Sequence, residues 1–371
     1  MNRSLKSVIL IAVISVLLLL APSAAKTPTP PQLQVVNELT SGPGNITITP
    51  DGRTIISLHQ FFNPEIRVAE VRKGGQIVPF PNPNWSTGGQ RDSVALDTVL
   101  GIQSDTNGVV WMLDNGQRGN STPKLVGWDT KSDRPARIIY LPPPITPKNA
   151  FVNDLAVDVT HQTIYIADPA GGDNAAIIVV DLNTGLARRV LQGNKSVIPE
   201  DLDLVIDGKP VQLILPDGKT IKPRVGVNPI ALDANNEWLY YGPMHGTSLY
   251  RVRTADFRTL SEQELAARVE RYSEKPICDG ITIDKAGNIY LGELAANAIG
   301  AITPQRRYQR LVQSDRLLSW IDAFSFGSDG KLYAVSNQLH RSAVLNAGKN
   351  EASPPFYILR LEAFAPGIVG R

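Results

Sequence analysis

Residues 153–192 read NDLAVDVTHQTIYIADPAGGDNAAIIVVDLNTGLARRVLQ. Three apolar, β-branched runs (DLAVDV, TIYIAD and AIIVVDL) are followed, after an Asn183-Thr184-Gly185 turn, by a fourth, LARRVLQ. Short runs of this composition with tight breaks describe four antiparallel strands in succession. Such a unit cannot cover its own faces, so the reading predicts further copies stacked beside it.

The copies are present. The opening of the unit recurs from Gly44 (GNITITPDGRTI), Leu100 (LGIQSDTNGVVW), Asn228 (NPIALDANNEWLY), Asp279 (DGITIDKAGNIY) and Asp322 (DAFSFGSDGKLY). In four copies a glycine (Gly52, Gly108, Gly287, Gly330) follows the lead residue by eight positions, and an apolar or aromatic residue follows by eleven. The copies led by Asn153 and Asn228 carry one extra turn residue and reach Tyr165 and Tyr240 at twelve. Repeats of this length, each made of several strands, predict an all-β six-bladed propeller of four-stranded antiparallel blades. The sixth copy offers only three strands before the chain stops, and QLQVVNEL ahead of the first copy is a spare. The ring is therefore expected to close by pairing that N-terminal strand with the last blade, which removes an exposed edge.

Lead residues are separated by 56, 53, 75, 51 and 43 positions. The long interval holds an insertion at about 200–223, EDLDLVIDGKPVQLILPDGKTIKP, whose Asp207-Gly208 and Asp217-Gly218 pairs read as hairpin turns. A lid over one channel mouth and a surface ornament both remain open readings. SEQELAARVERY has apolar residues near helical spacing and is expected to be a short helix connecting blades four and five.

Residues 1–25 combine a basic start (Arg3, Lys6), an apolar run from Val8 to Ala21 and the small residues Ser23, Ala24 and Ala25. This is the pattern of a secretory leader, and the run is too short for a stable membrane span. Residues 26–31 form a Pro/Thr-rich spacer, leaving 32–371 for the propeller. Without Arg3 and Lys6, the 37 Lys and Arg fall level with the 35 Asp and Glu. A neutral chain with no basic tract excludes nucleic acid as a partner class. The lone Cys278 cannot form an internal disulfide and is read as a buried thiol. A monomer held by its core, exported to the medium or a periplasm, is the expectation.

Innermost propeller strands aim their ends at a common axis. Asn153, Asn228, Asp279 and Asp322 lead four adjacent blades and would bring two amides and two carboxylates to one point. Such oxygens suit the ammonium of a small ligand, or a calcium ion, which takes six to eight of them. Each residue taken singly also fits a local cap at a strand start. The second acid of three copies, Asp158, Asp233 and Asp284, is read as a turn cap. Of the four histidines, His245 and His340 follow second strands and are the candidates for a general base at a channel mouth.

The segments LGIQSDTNGVVWMLDNG, VNDLAVDVTHQTIYIADPA, GVNPIALDANNEWLYYGPMHG, CDGITID, WIDAFSFGSDGKLY, SNQLHR and PPFYILRLEAF together resemble the major royal jelly and yellow family. The resemblance implies a secreted six-bladed propeller. Its animal members are associated with dopachrome conversion, with biogenic amines bound in the central channel, and with nutrition. With a single cysteine, this chain lacks the disulfides of that branch. It is more distantly similar to the gluconolactonase and paraoxonase propellers, which hold calcium through a glutamate of the first blade plus Asn and Asp of later ones. Asn153, Asn228 and Asp279 match those positions, and Gly44 stands where the glutamate would be. Two readings follow: a binder of a small polar or cationic, aromatic-amine-like ligand with weak tautomerase chemistry, or a calcium-dependent lactone or ester hydrolase with Asn153, Asn228 and Asp279 on the metal. A loop-mediated scaffold is the third.

Overall fold

The computed structural model describes residues 32–87, 94–215 and 217–371. The leader and spacer expected at 1–25 and 26–31 lie outside the described residues.

Strand β1 (Gln34–Leu39) precedes blade one, which consists of β2 (Pro43–Ile48), β3 (Thr54–Leu58), β4 (Val68–Val71) and β5 (Ile77–Pro79). Blade two is β6 (Val99–Ser104), β7 (Val109–Asp114), β8 (Lys124–Asp129) and β9 (Arg134–Tyr140). Blade three is β10 (Asp154–Asp158), β11 (Thr163–Asp168), β12 (Ala176–Asp181) and β13 (Ala187–Val190). Two small hairpins follow, β14 (Val205–Ile206) with β15 (Lys209–Pro210) and β16 (Leu213–Ile214) with β17 (Thr220–Ile221). Blade four is β18 (Val227–Leu232), β19 (Trp238–Pro243), β20 (Ser248–Arg253) and β21 (Glu270–Glu274). Blade five is β22 (Ile281–Ile283), β23 (Ile289–Glu293), β24 (Ala298–Ile302) and β25 (Tyr308–Gln313). Blade six takes β26 (Ile321–Phe326), β27 (Leu332–Ser336) and β28 (Phe356–Leu361), and its outermost place is filled by β1, paired antiparallel to β28 from Gln34 opposite Arg360 to Leu39 opposite Phe356. The expected closure is what the chain does.

One expectation is corrected. The helix runs only over Glu262–Ala267, opened by a capping box between Ser261 and Glu264. It joins β20 to β21 inside blade four rather than joining two blades, and ERY opens the fourth strand. In that strand Glu270 and Arg271 are exposed while Tyr272 and Ser273 are buried, so no alternation marks it.

The repeat signature has a direct cause. Gly52, Gly108, Gly287 and Gly330 adopt φ between 74° and 90° in the turn after the inner strand, a region that side chains avoid. In the two longer copies Gln162 and Asn236 take that conformation, at φ 51° and 58°. Asp158, Asp233 and Asp284 cap these turns, Asp284 accepting from the amides of Ala286 and Asn288, both at 2.9 Å. The aromatic residue that follows on the second strand packs between blades. Tyr165 and Tyr290 have no exposed surface, and Tyr165 shares one core cluster with Val227 and Leu239 of blade four.

Four strands are an even number, so each blade returns the chain to the end where it entered. All six lead residues and the connections between blades therefore lie at one end of the channel, and the inner turns at the other. Blade six supplies only three strands after entry, so residues 362–371 emerge at the turn end. There they cross the channel mouth: Thr47 Oγ1 donates to Gly370 O at 2.8 Å, Phe326 N to Arg371 O at 2.6 Å, and Lys285 N to Pro366 O at 3.0 Å. The buried Arg371 guanidinium donates to Val157 O at 3.2 Å and Asp233 O at 3.0 Å. With Gly370 against Ser104 O, this segment touches every blade.

Candidate functional site

Five loops and strand ends converge at the lead-residue end around a cavity of about 250 Å³. Asn153, Asn228, Asp279 and Asp322 all line it. The lead pairs of blades one, two, four and six sit at register shifts of the inner strand, between Pro43 and Asn45, Val99 and Ile102, Val227 and Ile230, and Ile321 and Phe324. In blades three and five the inner strand starts only after the lead residue. Either device frees the lead residue from strict alternation and lets it face the axis. The leads of blades one and two, Gly44 and Leu100, are not among the lining residues, and His59 and Phe61 from the end of β3 take that side.

The polar floor is a connected chain. Asn153 Nδ2 donates to Asn228 Oδ1, and Asn228 Nδ2 to Asp279 Oδ1. The Trp320 indole N–H donates to Asp279 Oδ2 at 2.8 Å. Asp322 accepts from Asn337 Nδ2, which also donates to Pro43 O at 2.8 Å. Below this layer Asp154 accepts from Asn45 Nδ2 at 3.3 Å and from Leu155 N at 2.9 Å. It lines a separate void of about 30 Å³, bounded at the base by Gly370 and Arg371. Burial pushes Asp154 and Asp279 up to about 7. Asp322 is held well above the usual carboxylate range by burial and by the neighbouring charges of Asp279 and Asp154.

The walls above the floor are mainly apolar, with Phe61, Phe151, Met244, Trp320 and Leu345 among them. The insertion contributes Val211, Leu213, Pro223, Arg224 and Val225, so it roofs the cavity. Its attachment is specific: Asp207 accepts from Asn297 Nδ2 at 2.9 Å and Arg341 at 3.1 Å, and Gln212 pairs with the loop at Leu345 and Ala347. Arg224 is neutralised by Asp201 and Asp203.

The histidines divide. His245 lines the cavity, with Nδ1 accepting from Val225 N at 3.2 Å and Nε2 buried without a partner. Burial lowers it to about 4, so it is neutral at pH 7 with its proton on Nε2. The acceptor nitrogen is thus already occupied, and a role as general base finds no support in this arrangement. His340 lies outside the cavity, in a neighbouring one of about 300 Å³ with Asp207, Lys209 and Arg341. Asp114 and Glu293 hold structural bonds to Lys124 and Arg310.

The three calcium candidates, Asn153, Asn228 and Asp279, line one cavity and bring a single carboxylate to it. Asn228 Oδ1 and both Asp279 oxygens already accept amide or indole hydrogens. Gly44 adds no carboxylate, and among the described residues no three His, Cys, Asp or Glu side chains cluster to hold a metal.

The lining residues His59, Pro169 and Met244, and Asn337, which bonds Asp322, escape a lead-residue reading. Each is the residue immediately after the second strand of its blade, following Leu58, Asp168, Pro243 and Ser336. That position recurs as regularly as the lead position and could have been read from the same repeat. Trp320 and Asp154 carry no such signal beyond standing near Asp322 and Asn153.

Major royal jelly protein 1 of Apis mellifera is 24% identical over 275 residues, covering 68% of this chain and 60% of the relative. Major royal jelly protein 2 of the same bee is 25% identical over 286 residues, covering 72% and 60%. The chain thus spans about three fifths of the length of these relatives. Among solved structures, a luciferin-regenerating enzyme aligns with a TM-score of 0.56 at 14% identity, over 92% of this chain and 98% of that one. A gluconolactonase from Xanthomonas campestris aligns at 0.55 with 10% identity, over 90% and 89%. These two likenesses speak for the fold alone. The family described as major royal jelly protein matches residues 98–363, from blade two into the close of blade six, and the chain belongs to that family.

Proposed function

We propose that this protein binds a small molecule with an aromatic or apolar body and a cationic, hydrogen-bond-donating head in the channel cavity beneath the 200–223 insertion. The observation that carries the reading is the polarity gradient. Apolar and aromatic side chains form the walls, and the floor is a layer of amide and carboxyl oxygens including Asp279 and Asp322. A dry apolar cavity of roughly 150 Å³ accepts benzene. The space here, about 250 Å³, suits one ring with a short side chain. The amine binding that the family resemblance implies for animal members points the same way.

A cation binds the ionised form of these carboxyls. Because Asp279 is raised to about 7, affinity climbs as pH rises through neutrality, and binding below that pH releases protons. Any chemistry is limited to proton exchange with the bound ligand, a tautomerisation in which Asp279 or Asp322 gives and takes the proton. Export as a monomer is part of the proposal, supported by the composition of residues 1–25. No helix among the described residues is long and apolar enough to cross a membrane.

Calorimetry with dopamine tests the reading, at pH 6 and pH 8 and in buffers of different ionisation enthalpy. The expected result is binding that strengthens at pH 8, releases protons at pH 6 and disappears in Asp279→Ala. Absence of binding, or binding indifferent to that substitution, refutes it. Calcium binding accompanied by lactone turnover would transfer the site to the hydrolase reading.

A further inference from the structure

Trp320 provides a side-chain tie between the two carboxyl-bearing blades of the floor. It immediately precedes β26, which carries Asp322, while its indole N–H reaches across to Asp279 of blade five at 2.8 Å. Its carbonyl accepts from Asn337 N at 3.2 Å, and the Asn337 side chain bonds Asp322. The ring is 2% exposed and is backed by His340, stacked at 6.1 Å between centroids and 15° between planes. Its backbone sits at φ 60°, a conformation that bulky residues adopt only where the surroundings enforce it. Both Asp279 oxygens are then fixed, Oδ1 by Asn228 and Oδ2 by Trp320. The remaining lone pairs are free to meet a ligand in the cavity that Trp320 also lines.

We propose that Trp320 is the positioning residue that gives this site its selectivity for a charged head over a neutral one. It holds Asp279 at a fixed angle beside Asp322, so that one ammonium can be shared between two carboxyls. His340 keeps the indole plane in place from behind. The inference rests on the ligand reading above and adds the residue that discriminates. A hydrogen bond to an ionised acceptor is among the strong ones, and its loss frees the carboxylate to rotate.

The test compares tyramine with 4-ethylphenol, the same ring and two-carbon chain without the amine, by calorimetry at pH 8. Trp320→Phe removes the N–H and keeps a ring. It is expected to weaken tyramine about tenfold and to leave 4-ethylphenol within about twofold. His340→Phe preserves the stack and should change neither probe, while His340→Ala loosens the indole and should lose part of the selectivity. Equal loss of both probes in Trp320→Phe, or no loss, overturns the proposal. A ligand-free readout accompanies it. The emission difference between wild type and Trp320→Phe isolates the Trp320 signal, which should shift in Asp279→Asn. An unshifted signal overturns the tie between the two residues. If wild type binds neither probe yet the signal shifts, the ligand reading fails while the tie stands. If tyramine binds and selectivity survives Trp320→Phe, the ligand reading stands and the role of Trp320 falls. A second, folded-state check by circular dichroism on each variant separates these outcomes from misfolding.

Discussion

Replacing Asp154 by asparagine isolates the cost of an ionisable carboxyl inside this channel. Asp154 is pushed from 3.8 up to about 7, first by burial and then by the neighbouring Asp279, against the pull of the Leu155 amide and Asn45. A folded value above the unfolded one means the folded chain holds the proton longer. Stability from this group is therefore greatest below about pH 4 and is lost as pH rises through 7. Each pH unit in that window is worth about 1.4 kcal/mol. From pH 5 to pH 7, where the folded carboxyl is half ionised, the wild type should lose about 2.3 kcal/mol that the always-neutral asparagine retains. The void of about 30 Å³ beside Asp154 has room for one water, so a widening of about 1–3 kcal/mol is the expectation. Asparagine fits the geometry, since its Oδ1 can accept the same two hydrogens from Asn45 and Leu155. The assay is urea unfolding of both proteins at pH 5, 6, 7 and 8. Asp154→Asn should gain on wild type steadily up to pH 7 and then hold level. A difference that is flat with pH, or a variant that becomes less stable at high pH, would refute the claim that burial dominates this carboxyl.

Three further outcomes are expected. Gly370→Ala places a methyl group 2.4 Å from Ser104 O at φ 90°, so thermal unfolding should show a loss of about 2 kcal/mol or more, with faster amide exchange at Ser104 as the channel-mouth segment loosens. Lys124→Met leaves Asp114 buried without the partner that sits 2.8 Å away; denaturant titration should register about 3 kcal/mol of destabilisation, much of it recovered by adding Asp114→Asn. Asp207→Ala removes the bonds to Asn297 and Arg341 that pin the roof, and trypsin should cut faster at the exposed Lys219 while the melting temperature of the ring stays within about 2 °C.

Propeller architecture was legible because it is written locally and repeatedly. Lead residue, turn glycine and interblade tyrosine sit at fixed offsets, and each offset answers to a backbone or packing requirement that acts within a dozen residues. Ring closure was readable by counting strands. The fourth strand of blade four was missed because a helix and a strand follow each other closely there, and the strand has no alternation of its own to set it apart.

The sequence by itself therefore determined the repeat, the number of blades, and the four oxygen-bearing residues at the heads of blades three to six. Only the tertiary structure decided which atoms of those residues already accept hydrogen bonds from one another and from Trp320. It also decided that the insertion roofs the cavity, that residues 366–371 seal the far mouth, and that Trp320 bridges two carboxyl-bearing blades. The physical reason is one of range. Turn and strand preferences are set by neighbours in the chain, whereas burial, carboxyl ionisation and hydrogen-bond pairing across the axis depend on residues that meet only when the ring closes.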